Sequence, residues 1–255
     1  CVPCVCERRS NGRSHPSMSS SHERDLMSLV DEHLLVLDGA CGTNLQAMEV
    51  PPAAWEDKEG CNEYLNVSAP EVVEELHASF VEAGAMVLET NTFGASRTVL
   101  AEYGLEKDVE RINHAAVELA RRAIGDEAGR YVAGSIGPTT KLPSLGHIEV
   151  DEMAAVMAEQ TRALVEAGVD VLILETCQDM LQAKTALIAA LETLDATGRD
   201  VPIMLSVTFE KQGTMLVGSD IASVVATFEP YPVFSLGLNC ATGPTDMESH
   251  IRYLS

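Results

Sequence analysis

Several short apolar runs in this sequence each end in residues able to do chemistry. "LLVLD" (34–38) ends at Asp38 and is followed by Gly39; "AMVLET" (85–90) ends at Glu89-Thr90, with Asn91 next. "YVAGSI" (131–136) leads into Gly137-Pro138-Thr139, and "VDVLILET" (169–176) ends at Glu175-Thr176. "VPIMLSV" (201–207) closes on Ser206 to Thr208, and "VFSLGLN" (233–239) on Asn239, with Cys240 beyond it. An unpaired carboxylate at the end of a core strand is costly to desolvate. Taken singly, each acid has a plain explanation: Asp38 caps a loop, or Glu89 pairs with an arginine such as Arg97. Three acids on one rim instead describe a pocket for a cationic group such as an ammonium.

Cys240 lies on the same rim. A free cysteine is commonly a small buried apolar residue, but a place beside Asn239 and a Gly243-Pro244 turn also suits a nucleophile or a metal ligand. No histidine stands near the strand tips to activate a nucleophile, apart from His147 in the third loop. A thiolate ligand is the better functional reading, yet zinc sites use at least three protein ligands. Cys41 and Cys177 also lie just past strand tips, where ordinary packing explains both.

The elements that must hold these residues follow a βαβα rhythm. The apolar runs are continuous rather than alternating, as in strands buried on both faces. "APEVVEELHASFVEAG" predicts a helix with Ser68 as N-cap, Pro70 in the first turn and Gly84 at its C-terminal end. "DEMAAVMAEQTRALVEAG" repeats the plan, with Asp151 as cap and Gly168 as stop. The echo of "VEAGAMVLET" in "VEAGVDVLILET" marks repeated helix–strand units and hence a parallel sheet. A flat doubly wound sheet and a closed barrel both fit. "DGACGTNL" lacks the GxGxxG fingerprint of the nucleotide-binding version, which favours the barrel. Chemistry in such barrels gathers at the carboxyl tips of the strands.

Composition narrows the partners. The chain has 255 residues, 46% of them hydrophobic, and 17 basic against 39 acidic residues give a net charge of -22. That charge opposes binding to nucleic acid or to an anionic membrane through a general field. No apolar run approaches a membrane span. Seven scattered cysteines do not form a secreted disulfide framework, so a reducing, cytoplasmic setting is expected. Residues 1–25, including the Cys1-x-x-Cys4 pair, lack an apolar signal region and read as a disordered tail; residues 26–255 form one domain.

Five ordered stretches, "LDGACGTNLQ", "LETNTFGASR", "RYVAGSIGPTTK", "LILETCQDMLQAKTAL" and "FSLGLNCATGP", together resemble the homocysteine S-methyltransferase family. Within that family they are most similar to the homocysteine-binding domain of cobalamin-dependent methionine synthases. The resemblance covers residues 33 to about 255. It implies a (β/α)8 TIM barrel, here C-terminally truncated to about six βα units. It also implies zinc held by three cysteines, of which Cys240 matches the first through Gly237-Leu238-Asn239-Cys240. The other two form an adjacent pair that is absent from this chain. Positions matching Asp38 and Glu175 would hold the amino acid part of homocysteine, with Gly39, Glu89, Thr90, Asn91 and Asn239 completing the substrate rim. No catalytic side chain beyond the zinc-thiolate is expected, because methyl transfer needs no oxyanion hole. The implied methyl donor is methylcobalamin on another module, and the implied partners are folate and cobalamin modules of the same parent chain. A small donor such as S-methylmethionine or betaine is the alternative, and a non-catalytic fragment or binding module is a third reading. The fragment alone is expected to be inactive.

Overall fold

The structure, a computed structural model, describes Leu26, Val30 and residues 34–255. The expected tail at residues 1–25, with its Cys1-x-x-Cys4 pair, lies outside the described residues.

Five strands form one all-parallel sheet: β1 (Val87–Glu89), β2 (Tyr131–Ile136), β3 (Val171–Cys177), β4 (Ile203–Val207) and β5 (Ser235–Leu238). Their spatial order is their sequence order, with no switch point. The main helices are α1 (Cys41–Ala47), α2 (Pro70–Glu82), α3 (Val109–Ile124), α4 (Val150–Ala167), α5 (Met180–Thr197), α6 (Ile221–Phe228) and α7 (Pro244–Leu254), joined by shorter helical turns.

The two faces of the sheet carry different cores. Leu88, Val132, Leu172, Leu174, Leu205 and Val207 pack against the helices in one large cluster. The alternate residues Val87, Tyr131, Ala133, Val171, Ile173 and Met204 meet Leu26, Val30, Leu35 and Leu37 instead. Alternation along a strand sends neighbouring side chains to opposite faces, so each strand contributes to both clusters. Helices on one face and a small apolar filling on the other is how a barrel wall is built. A doubly wound sheet would carry helices on both faces, so the barrel is the fold class.

Some expectations need correction. The run at 34–38 does not form a full strand; it meets the sheet through a single parallel bridge, Leu37 to Val87. Backbone hydrogen bonds from Asp38 to Val87 and from Met86 and Val87 to Val36 hold it there. Leu34 is 91% exposed and Val36 53%, so this run lacks the burial on both sides that the other runs have. Ser68 is not the cap of α2. It ends the preceding short turn, where its hydroxyl donates to the Tyr64 carbonyl at 3.2 Å, and Ala69 precedes Pro70. Asp151 sits inside the first turn of α4 after Glu149, and neither side chain caps that helix. The glycine stops do hold: Gly84 and Gly168 adopt φ of 98° and 92°, a region that costs glycine little.

Candidate functional site

The carboxyl ends of the strands bring Asp38, Glu89 and Glu175 into one acidic cluster. The Asp38 Oδ2 accepts the Glu89 amide N–H at 3.0 Å, while Oδ1 is buried with no hydrogen-bond partner. Burial pushes the Asp38 carboxyl up from 3.8 to about 8, against the pull of the Glu89 amide, and the charge of Glu175 adds to the rise. Glu89 is pushed well above the ordinary carboxylate range, first by burial and then by Glu175 and Asp38. Burial also raises Glu175, opposed by hydrogen bonds from Ser135, Thr176 and Asn239. Glu89 and Glu175 lie close enough for each to act on the other. Arg97 does not neutralise Glu89; its guanidinium pairs with Glu159. Among the described residues, no cation stands with the main influences on Asp38, Glu89 or Glu175.

Glu175 is the best-supported of the three. Ser135 Oγ donates to its Oε1 at 2.6 Å, and Asn239 Nδ2 to its Oε2 at 3.1 Å. A bulge in β3 aims this region. Leu174 pairs with Leu205 and Cys177 with Val207, so β3 takes three steps where β4 takes two. The extra residue puts Thr176 at φ 55°, an uncommon conformation for a β-branched side chain. Glu175 and Thr176 therefore both reach Asn239, although ordinary alternation would send them to opposite faces.

Asn239 joins three strand ends. Its Oδ1 accepts the Thr176 amide at 3.0 Å and the Ser206 hydroxyl at 2.7 Å. Its Nδ2 lies 2.7 Å from Thr176 Oγ1 and 3.4 Å from the Cys240 sulfur. Cys240 is exposed, at φ 62°, with Thr176 Oγ1 3.6 Å from its sulfur. Cys177 is 3% exposed within the main core, and burial pushes its thiol up to about 12, as packing predicts. Cys41 begins α1 and packs against the cluster of Leu45, Leu65 and Val73, and burial raises its thiol, with the charges of Asp38, Glu89, Glu175 and Glu63 acting in the same direction.

Thr90 and Asn91 support this wall from behind. The Thr90 and Thr92 hydroxyls lie 2.6 Å apart, and Thr90 Oγ1 accepts the Ser135 amide at 3.1 Å. The Asn91 amide donates to the Asn62 carbonyl at 2.8 Å and to Asn66 Oδ1 at 3.0 Å. Gly39 sits against Phe80, where an added Cβ would meet the ring edge at 3.1 Å. Sequence reasoning missed Glu63, whose Oε1 accepts the Gly94 amide at 2.6 Å and so holds the loop after Glu89. Nothing in "CNEYLN" marks it. Ser135, a polar residue inside the apolar run "YVAGSI", was the one missed contact with a visible signal.

Among the described residues, no group of three or more His, Cys, Asp or Glu side chains is arranged to hold a metal ion. The exposed Cys240 thiol, with two polar groups beside its sulfur, fits one corner of a thiolate site and does not complete one.

Comparison with known proteins agrees with this geometry. The family model described as homocysteine S-methyltransferase matches residues 35–255, and the chain belongs to that family. Methionine synthase of Mycobacterium tuberculosis (strain ATCC 25618 / H37Rv) is 40% identical over 239 residues, covering 92% of this chain and 20% of that protein. Methionine synthase of Mycobacterium leprae (strain TN) matches with the same identity and coverage. The chain thus spans about a fifth of the length of these relatives. Among solved structures, the metallated form of the homocysteine methyltransferase MmuM from Escherichia coli superposes with a TM-score of 0.70 at 28% identity, covering 91% of this chain and 84% of that one. Its apo form gives 0.66 at 29% identity, covering 91% and 81%.

Proposed function

We propose that this chain is the homocysteine-binding domain of a cobalamin-dependent methionine synthase, acting in the cytoplasm. The observation that carries the reading is the cluster itself: the buried Glu175 with the half-buried Asp38 and Glu89 on one side, and the exposed Cys240 thiol beyond Asn239 on the other. Homocysteine has a matching layout, with an ammonium at one end and a thiol at the other. Asp38, Glu89 and Glu175 receive the ammonium, whose charge favours their ionised forms. Gly39 lets the chain pass close to the Phe80 ring, and Thr90 and Asn91 act by fixing the loop that carries Glu89. Zinc held by Cys240, with its remaining ligands from further chain, supplies a thiolate where a free thiol of pKa ~8.5 stays mostly protonated at neutral pH. The chain's own task is to bind homocysteine, aim its sulfur at the open mouth and keep the amino group away from the donor.

The mouth supports methylcobalamin, carried on another module, as the donor. Phe93, Leu145, Leu216 and Val217 are large apolar residues left exposed in three strand-to-helix connections, and Leu181 is exposed in the first turn of α5. An apolar rim of this kind suits a macromolecular carrier, and folate and cobalamin modules of the same parent chain are the partners proposed. A small donor such as S-methylmethionine or betaine is the second reading, favoured by the likeness to MmuM along most of its length. Methionine formation by the full-length parent, assayed with each donor in turn, separates them. The account expects turnover with methylcobalamin; turnover with S-methylmethionine or betaine alone would establish the second reading. Among the described residues no helix is long and apolar enough to cross a membrane.

A further inference from the structure

We propose that Glu63 is a positioning residue for methyl transfer: it completes a buried set of hydrogen bonds that fixes the loop after β1 and so holds Phe93 at the mouth of the site. The proposal rests on reading the acidic cluster as the homocysteine site and the apolar rim as the donor's approach, and adds what keeps that rim in place.

Loops between strands and helices commonly leave their backbone groups to water. The loop at 91–95 is bonded differently, since each residue gives one backbone group to a partner outside the loop. Asn66 Nδ2 donates to the Asn91 carbonyl at 2.8 Å, and Gln160 Nε2 to the Thr92 carbonyl at 2.7 Å. The Gly137 amide donates to the Phe93 carbonyl at 3.0 Å, and Asn113 Nδ2 to the Ala95 carbonyl at 3.0 Å. Glu63 makes the remaining bond, its Oε1 accepting the Gly94 amide at 2.6 Å. The partners come from separate parts of the fold: the helical turns at Asn62–Tyr64 and Leu65–Ser68, α3, α4 and the residue after β2.

The side chains that hold the loop are themselves buried, which is costly for polar groups unless they are bonded. Glu63 is 8% exposed, and Asn66, Asn113 and Gln160 are 2% or less. Gln160 Oε1 has no hydrogen-bond partner among the described residues, so what this side chain contributes comes through Nε2 and the loop. Gly94 lets Glu63 come this close, because an added Cβ would stand 2.8 Å from Oε1. Phe93 is 42% exposed while its neighbours in the loop are buried, so the fixed backbone presents this one ring at the mouth. The acids that receive the ammonium stand outside this set of bonds: Glu89 ends β1, and its amide is held by Asp38. Loosening the loop therefore disturbs the donor's approach and leaves the ammonium end in place.

Hydrogen exchange and kinetics on the full-length parent test this together. Glu63→Ala removes the acceptor, so the Gly94 amide, read by mass spectrometry in the peptide covering 91–95, should exchange about tenfold faster while β3 is unchanged. With homocysteine and methylcobalamin, kcat should fall by about tenfold while KM for homocysteine stays within about twofold. Glu63→Gln keeps a carbonyl oxygen for the Gly94 amide and should restore most of the rate; burial already pushes the Glu63 carboxyl up toward the neutral form that an amide copies. In a Phe93→Ala background Glu63→Ala should lower kcat little further, because its effect runs through the Phe93 ring. Unchanged exchange at 91–95 would overturn the proposal, as would a rise in KM alone. An equal loss of kcat with and without the Phe93 ring would also overturn it, since that is what a merely structural role predicts. If circular dichroism shows that Glu63→Ala does not fold, Gly94→Ala takes its place with the same expectations, its Cβ standing 2.8 Å from Oε1. Exchange needs neither substrate nor donor. A parent that makes no methionine therefore defeats the homocysteine reading, while the fixing of the loop by Glu63 is judged by exchange.

Discussion

Replacing Asp38 by asparagine isolates what the acidic pocket costs the fold. In the unfolded chain an aspartate titrates near 3.9; in the fold Asp38 is pushed up to about 8. Between those values the folded protein holds a proton that the unfolded chain has released. Stability from this group is therefore full at low pH and is lost as pH rises, by about 1.4 kcal/mol per unit, until about pH 8. From pH 5.5 to 7.5 the loss comes to about 3 kcal/mol. The Asp38→Asn variant escapes it, because an amide has no proton to lose. Its side-chain oxygen still accepts the Glu89 amide that Oδ2 accepts now at 3.0 Å. Urea unfolding of both proteins, followed by far-UV circular dichroism at the two pH values, gives the comparison. The remaining acidic residues, which set the net charge of -22, are common to both and largely cancel. The variant's advantage over the wild type should widen by about 3 kcal/mol between pH 5.5 and 7.5. An advantage that stays constant, or a variant less stable at both pH values, would refute the argument that Asp38 is desolvated in this pocket.

Two further outcomes follow from the site and its frame. Glu175→Ala in the full-length parent should lower kcat/KM for homocysteine by about ten- to a hundredfold, mainly through KM, since a charged hydrogen-bonding partner of the ammonium is gone; unchanged homocysteine kinetics would remove Glu175 from the substrate site. Gly137→Ala should destabilise the fold by about 1–3 kcal/mol in urea unfolding, because an added Cβ would stand 2.5 Å from the Phe93 carbonyl oxygen and 2.8 Å from its ring; a neutral effect would mean that the loop carrying Phe93 is free to move.

The sheet was legible because its strands are buried on both faces. "VLILET" and "IMLSV" are continuous apolar runs, and they pair as β3 and β4 in parallel register. The run at 34–38 looks the same in sequence, yet Leu34 and Val36 remain exposed, since composition does not say which neighbours a run will find. The cap assignments failed for a similar reason. Ser68 and Asp151 stand where caps belong, but backbone geometry placed the helix starts elsewhere. The acids were legible as a group because strand tips share one end of a barrel. The contacts that give the site its geometry were not. The left-handed Thr176 depends on a bulge set by the pairing of β3 with β4, and Glu63 reaches the site only through the folded loop at Gly94.

The central claim, that Cys240 and the acidic pocket together activate homocysteine, is tested most directly in the full-length parent carrying Cys240→Ala. Zinc content after dialysis and methionine formed from homocysteine are measured on the same preparation, beside the wild type. The account predicts that the wild type holds zinc and makes methionine, and that the variant loses both while staying folded. A variant that kept its zinc and its activity would contradict the account.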